Sequence, residues 1–334
     1  MLTISEDTWP EHLAAGIAAI NDPHFIPTTQ SLAQRQAAMA EISGIRSGDK
    51  IFFYMRGSKD ILGLYEATTI PFFDTNPLLH NAQHVNAKLP FRVGFKQIIN
   101  FQININQEDI WEARDKGIMW TKQQSRGDAI GRHACITLTQ KEGEYLLHLF
   151  REKNLIENNP IVSVPNPPTQ LISLPLDLRV DNIKKYNVTA IHYEDSFKAL
   201  LIKDLCNGKH KNIFGDFDDA IPNVPISSGK EIDVLLLKYD KYGVVRYLIL
   251  ELKAKVFDLK DDLRQLVNYG DWTIKVRENA NTNNVHLFAV ASCFEQKIID
   301  YVKLKKENDE EGIKLIQYQF NQKTNQINLQ DVSP

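Results

Sequence analysis

Cysteine occurs only three times in this chain of 334 residues, at Cys135, Cys206 and Cys293. The three positions are far apart and odd in number, which fits neither a disulfide framework nor a metal site built from CxxC pairs. We therefore expect a protein of the reducing cytoplasm.

Long apolar runs and an excess of basic charge are also lacking. No stretch approaches the roughly 20 apolar residues that span a bilayer, and the N-terminus carries acids where a signal peptide carries basic residues. We expect neither a membrane segment nor secretion. Lys and Arg number 39 against 42 Asp and Glu, a net charge of −3. Without a global positive field, contact with a phosphate backbone depends on local basic patches.

The composition that is present belongs to a folded globular protein. Hydrophobic residues make up 43% of the chain and charged residues 24%, and the length corresponds to about two domains. The stretch 158–175, NNPIVSVPNPPTQLISLP, concentrates proline and has no helical periodicity. We predict a two-domain α+β protein with a first domain over 1–157, a Pro-rich linker over 158–185 and a second domain over 186–334.

The first half reads mainly as short strands flanked by two helices. Apolar segments bounded by turn residues predict strands over 50–55, 61–68, 91–98 and 101–105. Helical periodicity predicts helices over 11–21 and 139–154. In the second of these, Thr139 and Glu142 form an S/T-x-x-E capping box, which marks the helix start. The pattern is typical of a small barrel or a curled sheet.

The second half alternates helices with longer apolar strands. The predicted elements, in order, are a helix over 194–206, strands over 231–239 and 244–254 joined by a turn at 240–243, a helix over 259–272, a strand over 285–292, a helix over 295–308 and an edge strand over 315–320. A polar tail follows. This order indicates an α/β domain with a mixed sheet.

Two charged residues lie at the end of one of the apolar strands in the second half. Glu251 and Lys253 end the segment YLILELK, and side chains two apart in a strand point to the same side. Asp233 lies in the neighbouring predicted strand, between Ile232 and Val234. Partly buried charges need partners that offset their desolvation. We therefore expect Asp233 and Glu251 to converge on one cation.

Two carboxylates, with water completing the coordination shell, suit Mg²⁺ or Mn²⁺. In phosphodiester hydrolysis such an ion polarises the scissile phosphate and stabilises the developing charge. Lys253 would reach the attacking water or a non-bridging oxygen. The alternative is an ordinary ion pair between Glu251 and Lys253 at an exposed strand end, which contributes little stability.

The segment GKEIDVLLL, followed by ELK eighteen residues after its Asp, resembles the PD-(D/E)XK nuclease superfamily, which includes many restriction endonucleases. The resemblance covers about residues 190–305. It implies that Asp233, Glu251 and Lys253 are catalytic residues. The sequence departs from the nominal motif at Ile232, where the superfamily has Pro.

The resemblance also implies two further site residues on helices. An upstream helix in this superfamily often carries an acidic residue that completes the metal site, and Glu194 matches that position, with Asp195 as the alternative. Many members place a Gln on the helix after the Lys, which Gln265 matches. Both residues are also compatible with solvent-facing helix positions, where polar side chains are common.

The segment GDKIFFYMRGSKDILGLYEATTIPFFD resembles the EVE, YTH and PUA-like group of small β-barrels, over about residues 1–155. The residues that carry the resemblance are Gly48 with Asp49, Gly63, and Pro71 with Asp74. It implies nucleic-acid binding, with a modified base held in an aromatic pocket. The aromatic candidates are Trp9, Tyr54, Trp111 and Trp120, for which core packing is the alternative. The polar loop 121–134, with Arg126 and Arg132, suits phosphate binding or is a solvated loop.

Together the two halves predict a metal-dependent DNA endonuclease that acts on double-stranded DNA. Its first domain would read DNA that carries modified bases, as in a modification-dependent restriction endonuclease. Cutting both strands at once needs two active sites, so we expect a homodimer. The alternatives are a repair or RNA-directed nuclease, a catalytically silent nucleic-acid reader, and an assembly protein with neither activity.

Overall fold

The computed structural model describes residues 1–22, 29–79, 89–121, 133–154, 171–226, 230–277, 279–308 and 312–334. It divides into two compact units, Met1–Leu176 and Asp177–Pro334. Residues 155–170, which hold most prolines of the predicted linker, lie outside the described residues. Arg126 and Arg132 also lie outside them, so their contact with phosphate stays a prediction.

The described residues of the first unit form six strands and four α-helices. The strands are β1 (Leu2–Ile4), β2 (Ile17–Ile20), β3 (Lys50–Met55), β4 (Ile61–Ala67), β5 (Phe72–Phe73) and β6 (Phe91–Gln97). The helices are α1 (Trp9–Ala15), α2 (Thr29–Ile42), α3 (Gln107–Asp115) and α4 (Gln140–Lys153). A short 3₁₀ turn, Glu6–Thr8, precedes α1.

The six strands form one sheet in the order β1-β3-β4-β6-β2, with β5 also paired to β6. β1 runs parallel to β3, and the other neighbours are antiparallel. β1 and β2 stand at the two ends of this order. Among the described residues the two end strands do not pair, so the sheet as described is not a closed barrel.

Two expectations for the first unit need correction. The predicted helix over 11–21 ends at Ala15, because Gly16 adopts a left-handed conformation (φ 61°), and the chain continues as β2. The predicted strand over 101–105 forms only an isolated bridge between Ile105 and Ile61. The capping box at the start of α4 is confirmed: Thr139 Oγ1 accepts the Glu142 N–H at 3.1 Å, and Glu142 Oε2 accepts the Thr139 N–H at 2.8 Å.

The second unit is a mixed α/β fold, whose described part contains eight strands and four α-helices. The strands are β7 (Val180–Ile183), β8 (Val188–Ile191), β9 (Asp219–Pro225), β10 (Glu231–Asp240), β11 (Gly243–Phe257), β12 (Val285–Phe294), β13 (Lys314–Asn321) and β14 (Gln326–Asp331). The helices are α5 (Glu194–Cys206), α6 (Lys211–Phe214), α7 (Asp262–Val276) and α8 (Gln296–Glu307).

Six of these strands form a sheet in the order β14-β13-β12-β11-β10-β9, while β7 and β8 form a hairpin. β11, β12 and β13 are parallel to one another, and the outer neighbours pair antiparallel. The predicted mixed sheet is therefore confirmed. The predicted edge strand over 315–320 is an inner strand, because β14 pairs with β13 and forms the edge. β14 lies in the predicted polar tail.

The core of the second unit explains where its charged residues fall. Alternate residues of β11, namely Leu248, Leu250, Leu252 and Ala254, pack in one apolar cluster with Phe197 and Leu201 of α5. The residues between them point to the other side of the strand. Glu251 and Lys253 occupy this second set, so the strand places both outside that apolar cluster. In the part of the chain that is described, none of the helices has the length and apolar character needed to cross a membrane.

Candidate active site

Asp233 and Glu251 lie opposite each other on the antiparallel strands β10 and β11. Each is next to the register pair Val234 and Leu250, so the two side chains are cross-strand neighbours on one face. The backbone N–H of Leu252 donates to Asp233 Oδ2 at 2.9 Å. The hairpin therefore brings the two carboxylates together, and their convergence on one cation remains a prediction.

Glu251 is a buried carboxylate whose two oxygens have different environments. Its residue is only 1% exposed. Oε1 accepts hydrogen bonds from Lys253 Nζ and from Gln265 Nε2, each at 3.0 Å. Oε2 is buried and has no hydrogen-bond partner among the described residues. Burial raises the pKa of the Glu251 carboxyl to about 8, and the negative charge of Asp233 adds to the rise.

Asp233 has a cationic partner on α5. Lys198 Nζ lies 2.6 Å from Asp233 Oδ1, and the lysine residue is 8% exposed. Burial alone would raise the pKa of Asp233, but the ammonium groups of Lys198 and Lys253 outweigh it and hold that pKa below its ordinary value. Asp233 therefore stays ionised beside a Glu251 that is largely protonated in the absence of a further cation.

Lys253 lies among three carboxylates. Its Nζ is 3.0 Å from Glu251 Oε1, 3.5 Å from Glu194 Oε1 and 3.8 Å from Asp262 Oδ1. Burial would lower the pKa of the Lys253 ammonium, but Glu251, Glu194 and Asp233 raise it above its ordinary value. Lys253 is thus a fixed cation and not a base at neutral pH. Glu251 and Lys253 do form the ion pair that the alternative interpretation predicted. Glu251 is buried, however, whereas that interpretation placed it at an exposed strand end.

Glu194 and Gln265 both reach this cluster. Glu194 is the first residue of α5 and contacts Lys253. Gln265, one turn into α7, donates to Glu251 and accepts from Lys230 Nζ at 3.2 Å. Glu194, Lys253, Glu251 and Gln265 are therefore joined by direct contacts, and Asp233 is the cross-strand neighbour of Glu251. Their catalytic roles remain predictions.

The strand that carries Glu251 and Lys253 is irregular just after them. The register of β11 against β12 shifts between Lys253 and Val256. Two side chains satisfy the carbonyls released there: Tyr318 Oη donates to the Ala254 carbonyl, and Ser292 Oγ donates to the Lys255 carbonyl at 2.7 Å. Bulges of this kind redirect side chains near functional sites.

Sequence reasoning did not identify Lys198 and Asn223, which lie beside Asp233. Lys198 follows Glu194 by four residues, so the helical period places both on one face of α5. That spacing was a usable signal. Asn223 Oδ1 accepts from Lys198 Nζ at 3.1 Å. Its strand, β9, contains two prolines and was not predicted, so no local signal identified it.

The side-chain oxygens of Asp233 and Glu251 are of the type that hard cations bind. A buried carboxylate oxygen without a partner is rare and calls for an explanation such as a bound ion, and Glu251 Oε2 is such an atom. Asp233 and Glu251 supply the oxygen ligands that Mg²⁺ and Mn²⁺ prefer, and Mg²⁺ commonly uses one or two carboxylates with water. Among the described residues no group of three or more His, Cys, Asp or Glu side chains is arranged for a metal. The residues present therefore fit an ion that keeps much of its water shell.

Replacing Glu251 by Gln is expected to change the pH dependence of stability in EDTA. Between about pH 4.5 and pH 8 the folded chain holds a proton on Glu251 that the unfolded chain has released. The wild-type free energy of unfolding therefore falls as the pH rises through this window. Glu251→Gln lacks this titration. Its melting temperature minus that of the wild type should increase from pH 5 to pH 8 and level off above pH 8.

Differential scanning calorimetry across this pH range checks the expectation. Glu307→Gln on the exposed face of α8 is the matched control and should follow the wild-type curve. Adding Mg²⁺ at pH 8 should raise the melting temperature of the wild type and leave that of Glu251→Gln unchanged. Parallel melting curves for wild type and Glu251→Gln would contradict the assignment of a buried, proton-binding carboxyl.

Two of the four aromatic candidates of the first unit, Tyr54 and Trp9, lie in or against its core. Tyr54 is 1% exposed and belongs to an apolar cluster with Phe52 and Phe150. Trp9 packs with its ring centroid 4.9 Å from that of Phe53 and is half-buried. For Tyr54 this is the core alternative that the sequence left open. Trp111 and Trp120 are both half-buried.

Comparison with known proteins adds little to this geometry. No family model matches the chain, and no curated protein matches its sequence. Among solved structures it is similar to a structural genomics crystal structure of a protein from Pseudomonas putida, with 12% identity and a TM-score of 0.29. That match covers 45% of this chain and 97% of the other. A similarity at this level establishes neither a shared fold nor a function.

Proposed function

We propose that this chain is a metal-dependent endonuclease of the PD-(D/E)XK type that hydrolyses phosphodiester bonds in double-stranded DNA. The observation that carries the proposal is the buried pair Asp233 and Glu251 beside Lys253, with Glu251 Oε2 left without a partner among the described residues. A merely structural ion pair has no need for a second carboxylate or for an unsatisfied buried oxygen.

The reaction adds a water oxygen to phosphorus and breaks one P–O ester bond, leaving a phosphate monoester and a hydroxyl. Asp233 and Glu251 would hold Mg²⁺ or Mn²⁺, which when bound polarises the phosphate and offsets its charge. The Lys253 ammonium donates hydrogen bonds to the attacking water or to a non-bridging oxygen. Glu194 and Glu251 fix the position of that ammonium. Gln265 orients Glu251 through the 3.0 Å hydrogen bond to Oε1.

For the first unit we propose a DNA-reading role of the EVE and PUA-like type. The support is the sequence resemblance and a six-stranded sheet with aromatic residues packed on it. A homodimer is proposed because two active sites are needed to cut both strands of a duplex. Recognition of a modified base, a closed barrel and a homodimer are all parts of this proposal.

A cleavage assay with Mg²⁺ or EDTA tests the proposed function. The substrates are unmodified plasmid, cytosine-methylated DNA, hydroxymethylated phage DNA and a structured RNA. We expect metal-dependent cutting of modified DNA. Cutting of every DNA would retain the nuclease but assign the first unit to reading sequence or shape, and cutting of RNA alone would favour an RNA-directed nuclease. Tight binding with no cutting of any substrate would overturn the proposal in favour of a silent reader.

A further inference from the structure

A second lysine is built into the candidate active site. Lys198 Nζ lies 2.6 Å from Asp233 Oδ1 and 3.1 Å from Asn223 Oδ1. The residue is buried, and a buried ammonium is stable only where its charge and its hydrogen bonds are met. Two oxygen partners on neighbouring strands meet both needs. The ammonium is therefore held at one place against the metal-ligand candidate Asp233.

The strand position and backbone conformation of Asn223 fit its contact with Lys198. The register pairs Val224 with Ile232 and Pro222 with Val234, so Asn223 lies across from Asp233 on the edge strand β9. Asn223 adopts a left-handed backbone conformation with φ 53°, which Asn tolerates better than most residues. The Lys198 ammonium of α5 thus contacts one side chain of β9, Asn223, and one side chain of β10, Asp233.

Each oxygen of Asp233 already accepts one hydrogen bond. Oδ1 faces Lys198 Nζ, and Oδ2 accepts the Leu252 N–H. In two-metal sites a pair of ions about 3.5–4 Å apart clamps both the attacking and the leaving oxygen, and such a pair needs ligand oxygens for each ion. Here Glu251 Oε2 is the carboxylate oxygen of this pair that has no partner among the described residues. Glu251 is on β11, on the side of Asp233 away from β9, whereas Lys198 contacts both Asp233 and the β9 residue Asn223.

We propose that the Lys198 ammonium takes the place of a second divalent cation, so that the site holds one Mg²⁺ or Mn²⁺ per chain. This inference rests on the proposed metal-dependent nuclease function. Lys198 supplies a positive charge that is fixed beside Asp233. Unlike a bound metal ion, this charge has no water shell and does not exchange with solvent. It is a positioning residue, because it acts through Asp233.

Counting bound Mn²⁺ tests the inference without measuring activity. The full chain is stripped with EDTA, dialysed, and titrated with MnCl₂ at pH 8 while the electron paramagnetic resonance signal reports free Mn²⁺. We expect one Mn²⁺ per wild-type chain. Lys198→Ala removes the ammonium and opens room for an ion with its water, so it should bind two. Lys203→Ala, on the exposed face of the same helix, should bind one.

The outcomes separate the inference from the function on which it rests. Two ions bound by the wild type, or a single ion bound by a folded Lys198→Ala, would overturn the role of Lys198 and leave the nuclease proposal standing. No Mn²⁺ bound by the wild type would overturn both. Lys198→Ala is paired with circular dichroism to verify folding. If Lys198→Ala does not fold, anomalous scattering from wild-type crystals soaked in MnCl₂ tests the inference instead. We expect one peak, beside Glu251. A second peak beside Asp233 Oδ1 would contradict the inference.

Discussion

Replacing Asp233 by Asn is expected to abolish Mg²⁺-dependent DNA cleavage, lowering the rate by about 10³-fold or more. The substitution keeps the shape of the side chain and an oxygen that can accept the Leu252 N–H. It removes the negative charge that, together with Glu251, would hold the ion. Calorimetric titration with Mg²⁺ should show metal binding lost in the same variant, and a single-turnover cleavage assay measures the rate.

Asp240→Asn is the matched control for this substitution. Asp240 is at the other end of β10, where its Oδ1 accepts the N–H groups of Tyr242 and Gly243 in the hairpin turn. The same chemical change there should leave cleavage and Mg²⁺ binding at wild-type levels. Cleavage by Asp233→Asn at a wild-type rate would remove Asp233 from the metal site and with it the main support for the proposed function.

Asp233→Asn should also be less stable than the wild type, because it leaves the buried Lys198 ammonium without its counter-charge. Breaking one partner of a buried pair costs about 3–5 kcal/mol, whereas removing both is often close to neutral. Lys198→Met in the Asp233→Asn background is therefore expected to recover much of the lost stability without restoring cleavage. This separates the folding role of the pair from its role in metal binding.

The part of the site that the sequence predicted is the part with a local signal. Asp233 and Glu251 lie on consecutive strands joined by a short turn, so the hairpin pattern alone brings them opposite each other. The two-residue period places Lys253 beside Glu251. Glu194 and Gln265 followed from the resemblance, and the structure brings both into contact with these residues.

Asn223, β2 and β14 were missed because their structure depends on contacts between distant segments. Asn223 enters the site only because β9 pairs with β10, and the two prolines of β9 argue against a strand. In the first unit, the apolar residues after Gly16 continue the helical pattern of α1, yet they form β2 through pairing with β6. β14 likewise gains its strand structure from β13 and not from its own polar sequence. Tertiary pairing overrides local propensity in each case.

Replacing Lys253 by Met is expected to lower the cleavage rate by about 10³-fold while Mg²⁺ binding is kept. Met retains most of the aliphatic volume but donates no hydrogen bond and carries no charge. The carboxylates of Glu251, Glu194 and Asp262, which the ammonium now contacts, would lose a competing cation. Metal affinity should therefore be unchanged or higher, so the loss is in the rate at saturating Mg²⁺.

Lys255→Met, two residues further along β11, is the matched control. Lys255 is half exposed and pairs with Asp181 at 2.6 Å, away from Glu251, and its loss should leave the rate within about threefold of wild type. Single-turnover kinetics at saturating Mg²⁺, combined with calorimetric metal titration, distinguish the two active-site substitutions. Asp233→Asn should lose metal and rate together, whereas Lys253→Met should lose rate alone. If instead both variants fail to fold while Lys255→Met folds, the charges at this strand end serve as a structural ion-pair network, because a catalytic cation acts on the reaction and not on the fold.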